Sequence, residues 1–144
     1  MSTEKNVAEA LRWLDTAEDD LDSARILKAE GKFAHSCFHA QQAGEKALKA
    51  LWVFADADPW GHSIRKLIKD LERIDAGLFQ AVKSFTQAGT ILDRFHVPTR
   101  YPNGLPEITP REAFFKEDAE ACLESAGEIL QEVRALISCQ EPSS

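Results

Sequence analysis

The sequence has no long apolar segment, and none of its hydrophobic runs approaches the ~20 residues that a helix needs to cross a bilayer. Its first residues, MSTEKNVAEA, have neither the basic start nor the apolar core of a secretory signal peptide. The three cysteines, Cys37, Cys122 and Cys139, show no CxxC spacing, so nothing indicates a zinc ribbon or a redox-active pair. We therefore expect a cytoplasmic protein with reduced cysteines and no association with a membrane.

Basic residues are the minority: 17 Lys and Arg stand against 24 Asp and Glu, which argues against a general nucleic-acid binder. The distribution is uneven. Residues 1–30 hold four basic and eight acidic residues, residues 104–144 hold three and nine, but residues 31–103 hold ten and seven. A ligand that carries phosphate would be attracted to the middle of the chain and repelled elsewhere. Ordinary solvated helix surfaces could produce the same pattern.

Strand patterns are also absent, whereas apolar residues recur with the helical period along most of the chain. We predict a single domain over residues 1–138, an all-α, up-and-down antiparallel bundle of four long helices and one shorter helix. A frayed polar tail follows at 139–144. The predicted helices are Glu4–Glu30, Phe33 to near Asp56, Ser63–Ile74, Leu78 to near Val97, and Pro110–Leu136.

The second predicted helix carries two contrasting faces. Small and apolar residues recur at steps of four and three, so a neighbouring helix can approach closely along one line: Phe33, Cys37, Ala40, Gly44, Ala47 and Leu51. The other line is polar throughout: His35, His39, Gln42, Lys46 and Lys49. His35 and His39 have the spacing of metal ligands, but no third ligand accompanies them, so we predict no metal site and no cofactor. The polar line is either a solvated surface or one wall of an anion-binding groove.

The segment from Asp93 to Asn103 contains the densest group of functional side chains, namely Arg94, His96, Arg100 and Tyr101. Prolines 98 and 102 restrict its conformations. Arginine suits two-pronged recognition of phosphate, which favours a binding role for this loop. The alternative is a structural loop that packs Tyr101 on the bundle and pairs Arg100 with an acidic neighbour.

Several of these segments together resemble the HEPN domain family (higher eukaryotes and prokaryotes nucleotide-binding). They are the run Gln41–Leu51 (QQAGEKALKAL), Gly61-His62-Ser63, the loop Thr99–Asn103 (TRYPN) and Asp118-Ala119. The resemblance extends from about Ala8 to Leu136. It implies a helical bundle, commonly a homodimer, that in prokaryotes is often encoded beside a minimal nucleotidyltransferase. Family members include toxin ribonucleases and inactive forms thought to bind nucleotides or RNA.

Active ribonuclease members use an arginine followed, after four to six intervening residues, by a histidine. No arginine in this chain fits: the corresponding positions after Arg94 are Thr99, Arg100 and Tyr101. We therefore predict no catalytic residues. Together with the family resemblance, this implies a homodimeric nucleotide- or RNA-phosphate-binding domain that acts with a nucleotidyltransferase. Its predicted binding residues are Lys46, Lys49, Arg94, His96, Arg100 and Tyr101. Two alternatives stay open, a metal-independent ribonuclease toxin that uses Arg94, His96 and Arg100, and a dimerising adaptor without ligand.

Overall fold

The computed structural model describes residues 3–139, and this part of the chain is helical without any strand. The predicted all-α bundle is confirmed. The predicted tail, 139–144, lies outside the described residues except for Cys139. The helices are α1 (Glu4–Ala29), α2 (Phe33–Phe54), α3 (Ile64–Ile74), α4 (Ala76–Val82), α5 (Thr86–Asp93), α6 (Pro110–Ala113) and α7 (Lys116–Ser138), with 3₁₀ turns at Lys83–Phe85 and Pro102–Gly104.

Helix α2 is the centre of the bundle, because it packs against α1, α7, α3 and α5. Fourteen of its 22 residues are buried. The turn into it depends on Gly31, which adopts a φ of +76° and ends α1 as the sequence predicts. The buried Ser36 hydroxyl then donates to the Ala24 carbonyl oxygen at 2.7 Å and fixes α1 against α2.

Two glycines allow α3 and α5 to lie close to each other and to α2. A Cβ at Gly44 would lie 2.8 Å from Leu92 Cδ1 and 2.9 Å from Ile64 Cδ1, and one at Gly89 would lie 2.8 Å from Ile64 Cγ2. These distances are too short for carbon atoms, so a larger residue at either position would force the neighbouring side chains to shift. The start of α3 and the end of α5 meet over α2 for this reason, as the small residues on α2 predict.

The fourth predicted helix is not continuous. It divides into α4 and α5 around the 3₁₀ turn Lys83–Phe85, where the Thr86 hydroxyl donates to the Lys83 carbonyl oxygen. A hydroxyl that bonds locally to the backbone competes with the helical ladder, and sequence period alone does not reveal this.

The last predicted helix also divides. It begins at Pro110 with the predicted capping box between Thr109 and Glu112. It stops after one turn, however, because Phe114 is extended and its ring packs against Phe95 at 5.6 Å. The chain restarts as α7, where the Phe115 amide donates to Asp118 Oδ2 at 2.8 Å.

Within residues 3–139, no helix combines the length and the apolar character needed to cross a membrane.

Candidate functional site

Two histidines from separate loops stack against each other on the surface of α2. The rings of His62, which precedes α3, and His96, which follows α5, are 5.0 Å apart between centroids and inclined by 19°. They are 34 residues apart in sequence and meet because α3 and α5 pack closely. The surrounding side chains form what we call the histidine cluster: Phe38, Gln41, Glu45, Lys49, His62, His96 and Arg100.

A buried carboxylate forms the base of the histidine cluster. Glu45 is only 3% exposed, and its two oxygens accept hydrogen bonds from Gln41 Nε2 at 3.2 Å, Lys49 Nζ at 3.0 Å and His62 Nδ1 at 3.3 Å. Gln41, Glu45 and Lys49 are four residues apart in turn on α2, which places them in one row. Lys49 balances the charge of Glu45, so the buried pair is neutral as a whole.

The hydrogen bonds of Gln41 determine the tautomer of His96. The Gln41 Nε2 donates to the Glu45 carboxylate and to the His62 carbonyl oxygen at 3.3 Å, two groups that only accept. Its Oε1 therefore faces His96 Nδ1 at 3.2 Å, so that nitrogen must carry the proton. The other ring nitrogen of His96, Nε2, keeps its lone pair in the neutral ring and lies 3.4 Å from Arg100 Nη2.

The environment of His96 disfavours its charged form. Burial is the largest cause that lowers the pKa of His96, and the positive charge of Arg100 lowers this pKa further. Glu45 acts in the opposite direction without reversing the shift. The ring is therefore neutral at pH 7, and its Nε2 can accept a hydrogen bond or take up a proton as a base.

Arg100 is held between two aromatic rings. Its guanidinium carbon lies 4.7 Å from the centre of the Phe38 ring and 5.0 Å from that of Tyr101, and its Nε donates to the His96 carbonyl oxygen at 2.9 Å. Among the described residues, its other N–H groups contact only His96 Nε2. The exposed guanidinium is thus oriented in advance and retains donors for an anion.

The loop that carries His96 and Arg100 is fixed to α3 through Asp93. This carboxylate accepts from the Ser63 hydroxyl at 2.9 Å, the Ile64 amide at 2.7 Å and the Arg65 amide at 3.1 Å. It therefore satisfies the free amides at the start of α3, together with Ser63, which accepts from the Lys66 amide as an N-cap. One residue stabilises the helix that follows His62 and the loop that contains His96.

The structure brings together four of the six predicted binding residues. Lys49, His96, Arg100 and Tyr101 lie in or beside the histidine cluster. Lys46 lies apart, because its ammonium contacts Asp20 Oδ2 of α1 at 2.6 Å. Arg94 is exposed and makes no side-chain hydrogen bond or ion pair with the part of the chain that the structure describes.

Known proteins resemble this chain over most of its length. The family model for the HEPN domain matches residues 10–136. The chain belongs to the HEPN domain family. It is 27% identical over 135 residues to a Methanocaldococcus jannaschii protein named "Putative toxin MJ1304", covering 90% of this chain and 88% of the relative.

Solved structures are also similar to this HEPN domain. The crystal structure of TT1696 from Thermus thermophilus is 35% identical with a TM-score of 0.79, over 88% of this chain and 96% of that one. ST0689, described as an archaeal HEPN homologue, is 35% identical with a TM-score of 0.72, over 89% and 97%. A HEPN domain protein, tm0613 from Thermotoga maritima, is 28% identical with a TM-score of 0.67, over 88% and 98%.

This HEPN domain contains cluster residues that our list of predicted binding residues omits. Gln41 and Glu45 are polar residues spaced four apart on a largely buried helix, and that spacing is a signal of a shared buried contact. His62 follows Gly61, whose φ of +85° turns the chain back over α2. In this HEPN domain the arginine beside His96 is Arg100, which follows the histidine instead of preceding it.

Proposed function

We propose that this HEPN domain binds the phosphate group of a nucleotide or of RNA at the histidine cluster. The observation that carries the proposal is the preformed Arg100 guanidinium, which retains free N–H donors beside Nε2 of His96, whose ring stacks on that of His62. Because Glu45 and Lys49 neutralise each other, the cluster keeps a net positive charge from Arg100. Tyr101 is half exposed next to this guanidinium and offers a ring face on which a base can stack.

The test is calorimetric titration of ATP, GTP and a short RNA into the wild type and into Arg100→Ala. A hydrogen bond to a charged group contributes about 1.5–3 kcal/mol, so affinity should fall roughly 10- to 100-fold. Lys83→Ala, which removes an exposed cation from the 3₁₀ turn, is the control and should bind like the wild type. Melting temperatures should change little, because an exposed cation contributes little to folding.

Two results would contradict phosphate binding. The first is a wild type that binds none of the three ligands. The second is an Arg100→Ala variant that melts far earlier with unchanged affinity, because the loop would then be structural. Either result would favour the adaptor without ligand.

A second candidate function is metal-independent cleavage of RNA, which the stacked His62 and His96 favour. One imidazole would take the proton from a ribose 2′-hydroxyl, whose oxygen attacks the phosphorus. The bond from phosphorus to the 5′-oxygen breaks, and the second imidazole gives that oxygen a proton, leaving a 2′,3′-cyclic phosphate and a 5′-hydroxyl. The negative charge that develops on the phosphate would be stabilised by Arg100.

Cleavage and simple binding are separable by assay of a labelled RNA in the presence of EDTA. Because the arginine-to-histidine spacing of the ribonuclease members is missing, we expect no cleavage above background. Cleavage that disappears in both His62→Ala and His96→Ala would replace the binding proposal by the ribonuclease one.

We further propose that a minimal nucleotidyltransferase is the protein partner of this domain, which acts as the regulatory half of the pair. The family resemblance supports this proposal. Co-expression with a minimal nucleotidyltransferase of the same organism, followed by size-exclusion chromatography, should give a complex that elutes as one peak. Separate elution at micromolar concentration would contradict it.

A further inference from the structure

A group of basic side chains outside the histidine cluster lies where α1 ends and α2 begins. Lys32 and His35 from the start of α2, together with Arg111 from α6, line a cavity of about 130 Å³. Within residues 3–139, none of these three side chains has a hydrogen bond or an ion pair. An acidic chain of net charge −7 therefore keeps three unpaired basic side chains at one small cavity.

The surrounding surface adds further positive charge. A neighbouring groove of about 470 Å³ shares Gly31 and Phe33 with the cavity and is lined by Arg25, Lys28 and Lys116. Arg25 is paired with Asp22, but Lys28 and Lys116 share the single carboxylate of Glu120 at 3.8 and 3.9 Å. Close by in sequence, Glu112 is held in its capping box, and Glu30 is exposed; both keep their negative charge. The five lysines and arginines of the cavity and the groove, set against these four carboxylates, thus leave an excess of one positive charge.

The cavity and the histidine cluster lie along the same side of α2. His35 is three residues before Phe38, so the two side chains are neighbours on the helix surface. The guanidinium of Arg100 lies over the Phe38 ring. At 1.5 Å per residue, the six residues from Lys32 to Phe38 span about 9 Å along the helix.

We infer that the cavity of Lys32, His35 and Arg111 is a second phosphate subsite, and that the ligand is a short single strand of RNA. The inference rests on the proposed phosphate binding at Arg100. A stacked strand advances about 3.4 Å per nucleotide, so two or three nucleotides separate the phosphates at the two positions. A nucleoside monophosphate carries one phosphate group and reaches only one of them. An oligonucleotide engages both.

The experiment compares AMP with the single-stranded oligonucleotides (rA)2 and (rA)6, titrated into four proteins. They are the wild type, Lys32→Ala/Arg111→Ala, Arg100→Ala and the control Lys5→Ala/Lys83→Ala, which removes the same two charges from exposed positions elsewhere. The wild type should bind (rA)6 more tightly than (rA)2 or AMP. The Lys32/Arg111 variant should bind (rA)6 about 10-fold more weakly and AMP unchanged, whereas Arg100→Ala weakens all three.

Salt dependence gives an independent measure of the same contacts. Each phosphate contact of a single strand contributes about 0.7 to the slope of log K against log salt, so the Lys32/Arg111 variant, which loses the one phosphate contact of the subsite, should lose about 0.7 in slope for (rA)6. The control should keep the wild-type slope. Thermal melts establish that all four proteins are folded.

Three outcomes overturn the inference. If the Lys32/Arg111 variant binds (rA)6 like the wild type while Arg100→Ala does not, the subsite is absent and the proposed function stands. If the control loses as much affinity as the Lys32/Arg111 variant, only net charge matters. If the wild type binds none of the ligands, the proposed function fails together with the subsite.

Discussion

Glu45 is the residue on which most of the histidine cluster depends, since its carboxylate accepts from Gln41, Lys49 and His62. Glu45→Gln would leave the Lys49 ammonium, only 13% exposed in its side chain, without a counter-charge. We expect the free energy of unfolding to fall by about 3–5 kcal/mol, measured by urea titration. The double variant Glu45→Leu/Lys49→Met should recover most of this loss, because the pair is then absent from the interior.

A matched control exists in the pair of Lys46 with Asp20, whose side chains are 26% and 17% exposed. Asp20→Asn should cost less than Glu45→Gln, because water reaches Lys46 more easily. Equal losses in the two variants would contradict the view that burial makes Glu45 indispensable.

His96 should make stability depend on pH. Its pKa is lowered in the folded state by burial and by Arg100, so the unfolded chain takes up the proton first as the pH falls. The free energy of unfolding should therefore decrease as the pH drops below about 6.5, the pKa of an unperturbed histidine, until the lower folded pKa is reached. Above about pH 7.5 this residue contributes no dependence.

Melting temperatures of the wild type and His96→Asn between pH 7.5 and 5.5 measure this contribution. Asparagine retains an N–H donor for Gln41 Oε1 but does not titrate. The decrease should be smaller in the variant, and the difference isolates His96 from all other groups. Parallel curves would show that His96 titrates alike in both states.

At the scale of helices, substitution of alanine for glycine should change the free energy of unfolding in opposite directions at Gly89 and at Gly127. Gly89→Ala places a Cβ 2.8 Å from Ile64 Cγ2, which is attached to the Cβ of a fully buried residue and cannot rotate away. We expect a loss of about 1–3 kcal/mol and weaker ligand binding, because α3 carries His62 with it. Gly127→Ala in α7 meets nothing within 4 Å and should gain about 0.5–1 kcal/mol.

Chemical denaturation of the two alanine variants is the measurement. A Gly89→Ala variant as stable as the wild type would show that α3 and α5 can separate without cost, and that the close approach does not hold the histidines in place.

The helices also show which features of the fold the sequence predicts and which it does not. Periodicity and caps are local, so they predict α1, α2, α3 and the start of α6, with Gly31, Ser63 and Thr109 at their places. The breaks at Lys83 and Phe114 depend on one hydroxyl and on one ring that packs against Phe95. Lys46 lies on the same polar face of α2 as Lys49, yet it contacts α1 and not the histidine cluster. Which helix packs beside each of these lysines depends on the tertiary fold, which the sequence pattern does not reveal. The contact of Glu45 with His62 likewise depends on how α3 returns to α2.

For the whole molecule, the remaining expectation is the homodimer. Several large apolar side chains are exposed, among them Ile26 at 64%, Trp60 at 81% and Phe115 at 62%. Contact with a second copy would remove such surface from water. Light scattering at micromolar concentration should give about twice the chain mass of 16.0 kDa. A single species at the chain mass would contradict the prediction.

Asp93 caps the start of α3 and anchors the loop of His96, and its hydrogen bonds go to Ser63, Ile64 and Arg65, not to a histidine ring or to Arg100. A genetic screen that scores only loss of binding would therefore return substitutions at position 93 together with those at Arg100. The two classes separate when the amount of folded protein is scored in parallel, since only substitutions at position 93 lower the amount of folded protein. A compensating change for a defect at Asp93 should be sought at the first turn of α3, whose amides donate to Asp93.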